Sequence, residues 1–174
     1  MKNIILVEPK YEDLWFRKEC MEDPKTMEYN AGYDVNFLGY HYDTGCIDFP
    51  ESKWQEWLDN NKKKTHFYYA YIKDTDINEF VGYVNFNFID DETGYSMGIV
   101  VSSKYHGQGY MRPALNKFIE EAKRQGVKKL NDSVPASRKN ALKVFFDVGF
   151  VVEEEFNSIK FGKEDLCYNI SLEL

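Results

Sequence analysis

Tyr105-His106-Gly107-Gln108-Gly109-Tyr110-Met111 stands between a strand-like run ending at Val101 and the most regular helical pattern in the chain. Two glycines one residue apart permit a tight turn that aims successive N–H groups at one point, and the start of the following helix adds partial positive charge. Such a place suits a phosphate dianion, although the same residues also fit an ordinary strand-to-helix turn. Beyond the turn, Met111, Ala114, Leu115, Phe118, Ile119 and Ala122 fall on one helical stripe that Gly126 stops.

Working outward, Val127 to Val134 reads as a strand, and Ser137 is placed to cap a helix from Arg138 to Val148 that Gly149 ends. Strands follow near Phe150 to Phe156 and Leu166 to Leu172. Upstream, Tyr95 to Val101 is a strand, and the alternating runs 66–72 and 80–88 flank Asp-Thr-Asp-Ile-Asn as an antiparallel hairpin. Pro50 opens a helix to about Asn61 carrying Trp54, Trp57 and Leu58 on one face. Residues 29 to 49 lack periodicity and read as a long loop, the kind that in compact domains usually serves function. Residues 3 to 8 predict a first strand and Tyr11 to Met21 a helix stopped near Pro24. Strands with a few interspersed helices predict an α/β (α+β) fold with a mixed, mostly antiparallel sheet.

At 174 residues and 20.5 kDa the chain fits one domain spanning 1–174, without repeats or a linker. With 43% hydrophobic and 29% charged residues it is neither low-complexity nor largely disordered. A net charge of -7 argues against generic binding to nucleic acid or anionic membranes. Cys20, Cys46 and Cys167 form no Cys-x-x-Cys pair and lie near none of His41, His66 and His106, so they read as free thiols and no metal is expected. Ile4 to Val7 is too short for a signal or membrane span, which makes the cytoplasm the default location.

Charge is segregated. Residues 104 to 143 hold ten Lys or Arg against three acids, which favours a polyanionic ligand. Residues 20 to 52 hold seven acids against Lys25 alone, among Tyr29, Tyr33, Phe37, Tyr40, Tyr42 and Phe49. That loop suits a cationic amine through carboxylates and aromatic faces, with Tyr29, Tyr33 and Asp34 as acceptor-binding candidates. The plain alternative is a solvated helix face and a solubilised aromatic loop.

Three phosphate loops compare with residues 105 to 111. No Gly-x-x-x-x-Gly-Lys-[Ser/Thr] string exists, which excludes a Walker A loop. A dinucleotide fingerprint would need glycine at Arg112, though Asp132 stands about twenty residues on, where a ribose-binding acid belongs, and this alternative stays open. The third comparison fits: His106-Gly107-Gln108-Gly109-Tyr110-Met111 resembles the [Arg/Gln]-x-x-Gly-x-[Gly/Ala] pyrophosphate loop of the GNAT superfamily of acyl-CoA-dependent N-acyltransferases. Ala141 to Phe150 resembles the family's Ala-x-x-x-Tyr-x-x-x-Gly-Phe pattern. The resemblance covers residues 95 to 150 by motif, which would be the cofactor-binding half, and residues 1 to 94 by element order.

The resemblance implies transfer of an acetyl group from acetyl-CoA to a primary amine, on a small molecule or a peptide; a monomer or homodimer is expected. It implies cofactor contacts at Val100, Val101, His106, Gly107, Gln108, Gly109, Tyr110, Met111, Asn140 and Phe145. Four positions depart from the pattern: His106 replaces Arg or Gln, Met111 replaces a small residue, Phe145 replaces a tyrosine that often protonates the leaving thiolate, and Arg138 replaces an asparagine, leaving Asn140 as its displaced substitute. Backbone N–H groups around Val100 and Val101 are placed to polarise the thioester carbonyl. Asp132, on a strand face with Leu130 and Val134, is a candidate base whose burial would raise its pKa, or else a structural carboxylate paired with a lysine. Tyr95 lies where some family members place a base, and Tyr168 or Tyr110 could stand in for the acid lost at Phe145. The same departures leave open a non-catalytic acyl-CoA sensor, and the aromatic loop leaves open an interaction module.

Overall fold

The computed structural model describes residues 2–174. Strand β1 (Ile4–Val7) leads through a 3-10 turn, Tyr11–Asp13, into helix α1 (Leu14–Glu22). The expected stop before Pro24 occurs, but Pro24 then begins a further short helix, α2 (Pro24–Met27). Asp23 explains this: its side chain accepts the N–H groups of Lys25 and Thr26, and proline suits the first helical position. Residues 31–49 hold no helix or strand, only an isolated bridge between Tyr40 and Ile47. Helix α3 (Trp54–Lys63) follows a 3-10 turn after Pro50.

Strands β2 (Phe67–Asp74), β3 (Glu79–Asp90) and β4 (Gly94–Val101) form an antiparallel meander, and helix α4 (Met111–Arg124) returns the chain to β5 (Lys129–Pro135). Helix α5 (Lys139–Asp147) precedes a hairpin of β6 (Val151–Lys160) and β7 (Lys163–Glu173). Ser137 does not cap α5; Arg138 is the N-cap and no side chain satisfies that end. The seven strands form one sheet in the order β1-β2-β3-β4-β5-β7-β6, antiparallel except between β4 and β5. The fold is therefore a mixed, mostly antiparallel α/β sheet flanked by helices, as the sequence predicts.

Each sheet face carries its own core. On one, Ala114, Leu115, Phe118 and Ala122 of α4 and Leu142 and Phe145 of α5 pack on Ala70, Phe86, Leu130 and Ile170. On the other, Leu14, Phe16 and Cys20 of α1 and Trp54 and Leu58 of α3 pack on Tyr69, Tyr71, Tyr83 and Val100. Each large side chain so buried contributes roughly 1.5–3 kcal/mol. Cys20, Cys46 and Cys167 are free and buried. Among the described residues no helix is long and apolar enough to cross a membrane.

The one parallel contact positions the site. Strands β4 and β5 pair only at Tyr95 with Leu130 and at Ser96 with Asn131, and then part. The gap so opened runs along β4 to Val101, where the glycine loop begins.

Candidate active site

The loop after β4 starts with a 3-10 turn, Ser103–Tyr105, and is tied down by its own side chains. The imidazole Nε2 of His106 lies 2.8 Å from the Val101 carbonyl, and Gln108 Nε2 donates to the Lys104 carbonyl at 3.0 Å. His106 and Gln108 thus shape the loop, and what faces outward is backbone. Gly107 and Gly109 have φ of 74° and 80°, and a side chain added at either would meet no atom within 4 Å. Among the described residues, the N–H groups of Gly107, Gly109, Tyr110, Met111 and Arg112 find no acceptor. Free N–H groups at the start of a long helix form an anion cradle.

A groove of about 540 Å³ adjoins the cradle, lined by Lys2, Gly109, Met111, Arg112, Pro113 and Val144. Lys2 and Arg112 add positive charge that the motif does not announce. Lys2 arrives because α4 packs beside β1, a tertiary adjacency with no local signal. Arg112 is shared with Asp147, which also accepts from Lys143 at 2.9 Å. Several of the ten cations in 104–143 are compensated in this way: Lys104 pairs with Glu79, Lys117 with Glu120, Arg124 with Glu121 and Lys129 with Glu153.

Strand β4 offers its backbone to the gap unevenly. The Ser102 N–H donates to the Val81 carbonyl, and Val100 is registered with Tyr83 on the same β3 edge. Alternation therefore turns the N–H of Val100 into the sheet and those of Ile99 and Val101 toward the gap. Val100 is a wall residue, 9% exposed on the α1 face, and the N–H groups turned to the gap are those of Ile99 and Val101.

Asp132 lies one residue beyond the last parallel pair, at the apex where the strands part. The residue is partly exposed, while protein surrounds its carboxyl. Burial pushes its carboxyl up to about 7, against the N–H of Ser133 at 2.8 Å and the positive charge of Arg138. No lysine pairs with it among the described residues, so the structural lysine partner expected of a passive carboxylate is missing. Tyr168, on β7 opposite Val134, is half-buried against the α4-side core.

Two other tyrosines stand elsewhere. Tyr95 sits at the opposite end of β4 from the loop, its hydroxyl 3.3 Å from His66 Nδ1 and its ring against Phe86 and Phe88. Tyr110 is 2% exposed and points into the core, donating to Asp74 at 2.7 Å and accepting from Lys2 at 3.1 Å. Its backbone belongs to the cradle and its hydroxyl does not. Phe145 is likewise buried in the core, edge-on to Phe150 at 5.0 Å, while neighbouring Val144 faces the groove. Asn140 is exposed in the first turn of α5.

The acidic segment reaches the loop from the other side. Asp23 accepts from Ser103 Oγ at 2.6 Å and Ser103 N–H donates to Thr26 Oγ1 at 2.9 Å, so α2 sits on the root of the cradle. Further along, Gly32 accepts the Phe161 N–H at 2.7 Å and Tyr42 packs edge-on to the Phe161 ring, docking the loop on the β6–β7 turn. Tyr29 and Tyr33 already face cations of the chain: Arg138 stands 5.6 Å from the Tyr29 ring and Lys160 5.6 Å from that of Tyr33. Asp34 is exposed. Asp23, Ser103 and Thr26 escape sequence reading because eighty residues separate the partners.

The family model described as Acetyltransferase (GNAT) family matches residues 26–150. No curated protein sequence is significantly similar to the chain. The acetyltransferase (GNAT family) from Bacillus anthracis shares the fold at a TM-score of 0.72 and 16% identity, covering 99% of this chain and 96% of that one. The spermidine N-acetyltransferase from Vibrio cholerae, solved in complex with CoA and spermine, superposes at a TM-score of 0.79 and 14% identity, covering 98% and 95%. The chain belongs to the GNAT acetyltransferase family.

Proposed function

We propose that this GNAT family member transfers the acetyl group of acetyl-CoA to a primary amine on a small cationic acceptor, by direct attack of the neutral amine. The observation that carries the reading is the cradle of unclaimed N–H groups opening onto the gap between β4 and β5, with Asp132 at its apex. The residues fit the cofactor. The Gly107–Arg112 backbone would hold the pyrophosphate, Lys2 and Arg112 would add charge, and Met111, Pro113 and Val144 would line the apolar course beside it. When bound there, acetyl-CoA supplies a thioester whose carbonyl carbon is the electrophile.

Every other requirement falls on the chain itself. The N–H groups of Ile99 and Val101 meet negative charge developing on a carbonyl oxygen placed in the gap. Asp132, poised near neutrality by burial, takes the proton that an arriving ammonium must lose. Tyr168 is the hydroxyl left to protonate a leaving group, since Phe145 has none and that of Tyr110 is engaged with Asp74. Holding both reactants in the gap converts an encounter into an oriented one and removes much of the entropic barrier. Glu28 and Asp34 at the exposed rim of the acceptor loop attract the cation. Transfer to spermidine, the amine named for the Vibrio cholerae protein, is a first acceptor to assay.

Calorimetric titration with acetyl-CoA, followed by turnover across a panel of polyamines, amino acids and peptide amines, tests this. Saturable binding with turnover on at least one amine is expected. Binding without turnover on any of them would leave the non-catalytic sensor standing, and absence of binding would remove the acetyltransferase reading.

A further inference from the structure

Asp74, 1% exposed, ends β2 opposite Ile4 of β1. Its carboxylate accepts from the Tyr110 hydroxyl at 2.7 Å and from the Asp76 N–H at 2.9 Å, and the bond from Tyr110 holds its pKa below the ordinary value. The Tyr110 hydroxyl in turn accepts from Lys2 Nζ at 3.1 Å, and the same ammonium lies 4.3 Å from the centre of the Tyr110 ring. A phenol has one proton, and giving it to Asp74 leaves lone pairs for the ammonium. The chain of bonds therefore runs one way, from ammonium to hydroxyl to carboxylate. Ile4 faces the α4-side core, and alternation carried back two residues puts Lys2 over the same face.

This arrangement decides where the charge of the lysine is presented. A buried carboxylate bonded directly to a lysine would draw the ammonium inward and consume its charge. Here the phenol stands between them. The ammonium stays at the partly exposed surface, uses one of its three donors on Tyr110, and lines the groove beside Gly109 and Arg112 with the others. Of the two cations lining that groove, Arg112 is already tied to Asp147, whereas Lys2 forms no ion pair among the described residues. A free lysine side chain samples many rotamers and loses them on meeting a ligand, but one pinned by a hydroxyl and a ring has lost them in advance.

We propose that the Tyr110 hydroxyl, anchored on Asp74, is a positioning group that holds the Lys2 ammonium at the groove as a preset contact for a phosphate of acetyl-CoA. The proposal rests on the acetyltransferase reading and gives a role in it to two groups of the core that touch no ligand. Tyr110 then serves the cofactor twice, through its N–H in the cradle and through its hydroxyl by way of Lys2. Acetyl-CoA carries phosphate in two places, the pyrophosphate and the ribose 3′-phosphate, and an ammonium suits both.

Calorimetric titration of the full chain with acetyl-CoA, comparing wild type with Lys2→Met, Tyr110→Phe and the double variant, tests this at a temperature where circular dichroism shows all four folded. Each single substitution should weaken binding about three- to tenfold, and the double variant should bind no more weakly than Lys2→Met alone, because the hydroxyl acts through the lysine. Wild-type affinity in Tyr110→Phe would overturn the proposal. So would a double variant whose loss is the product of the two single losses, the result expected of a hydroxyl that only stabilises the fold. Dephospho-acetyl-CoA identifies the phosphate: a Lys2→Met effect that vanishes with this probe assigns the 3′-phosphate, and one that persists assigns the pyrophosphate. Equal binding of acetyl-CoA by wild type and Lys2→Met would sink this proposal alone, whereas no binding by wild type would remove the acetyltransferase reading beneath it.

Discussion

Ser103 Oγ donates a 2.6 Å hydrogen bond to Asp23 Oδ2, so the residue that caps α2 also anchors the turn from which the glycine loop springs. Burial alone would raise the Asp23 carboxyl, but hydrogen bonds from Ser103, Thr26 and the Lys25 and Thr26 N–H groups outweigh it and hold the pKa below 3.8. This linkage contributes stability that is complete above the ordinary carboxylate pKa of about 3.9 and is lost as pH falls through the depressed folded-state value. Ser103→Ala should therefore cost about 1 kcal/mol in urea unfolding at pH 7, and weaken acetyl-CoA by a few-fold through a looser loop. An unchanged affinity alongside the stability loss would show that the loop keeps its shape without the tie.

Gly109 and Gly126 provide a matched pair, with φ of 80° and 79° and empty space beyond both. A side chain at either carries the same backbone strain, about 1–2 kcal/mol. Only Gly109 faces the groove. Gly109→Glu should abolish acetyl-CoA binding in a calorimetric titration, whereas Gly126→Ala should lose comparable stability and bind normally.

Asp132 has a folded-state pKa of about 7, raised from 3.8 by burial. Its charged form is the disfavoured one in the fold, so its stability contribution is full below the unfolded value and is lost as pH rises from 3.8 through about 7. Asp132→Asn should accordingly melt closest to wild type below about pH 3.8 and increasingly above wild type as pH rises to 8. In turnover the same variant should lose about 10²–10⁴-fold and with it the ascending limb near pH 7. A stabilised variant that keeps the limb would assign the base elsewhere.

The tyrosines divide by location. Tyr110→Phe leaves the Asp74 carboxylate, itself 1% exposed, without the phenol that donates to it, and should lower stability by about 1–3 kcal/mol with the pH profile of turnover unchanged. Tyr168→Phe should do the reverse, slowing turnover with little change in melting. Tyr95→Phe, at the far end of β4, should alter neither.

The sequence discloses the loop because its signal is local: two glycines, a strand before, a striped helix after. The same holds for the β2–β3 hairpin, whose alternation is uninterrupted on both sides of a short polar turn. The β6–β7 turn is legible only in part, since Phe161 occupies the left-handed region at φ 51°, a conformation an aromatic residue does not announce. It is held there by its N–H bond to Gly32 and its packing on Tyr42, contacts about 120–130 positions away. Arg138, not Ser137, stands at the α5 N-cap, with its guanidinium 5.6 Å from the Tyr29 ring, a partner more than a hundred positions away. At the candidate site, strand alternation is enough to bring Asp132 to the place where β4 and β5 part, but chain position misplaces the Tyr110 hydroxyl, because its side chain is turned into the core. Lys2, Asp23 and Ser103 reach the loop through packing of distant segments, which no spacing encodes.

The two-pair contact between β4 and β5 also divides the sheet into blocks that are contiguous in sequence, β1 to β4 within residues 4–101 and β5 to β7 within 129–173. During synthesis the first block can complete its strand ladder before the second has emerged, with Asp23 waiting for Ser103 and helix α4 as the connecting rod. Amide protection should then release in two cooperative units divided at this seam, making the cleft a boundary of folding as well as a place for chemistry.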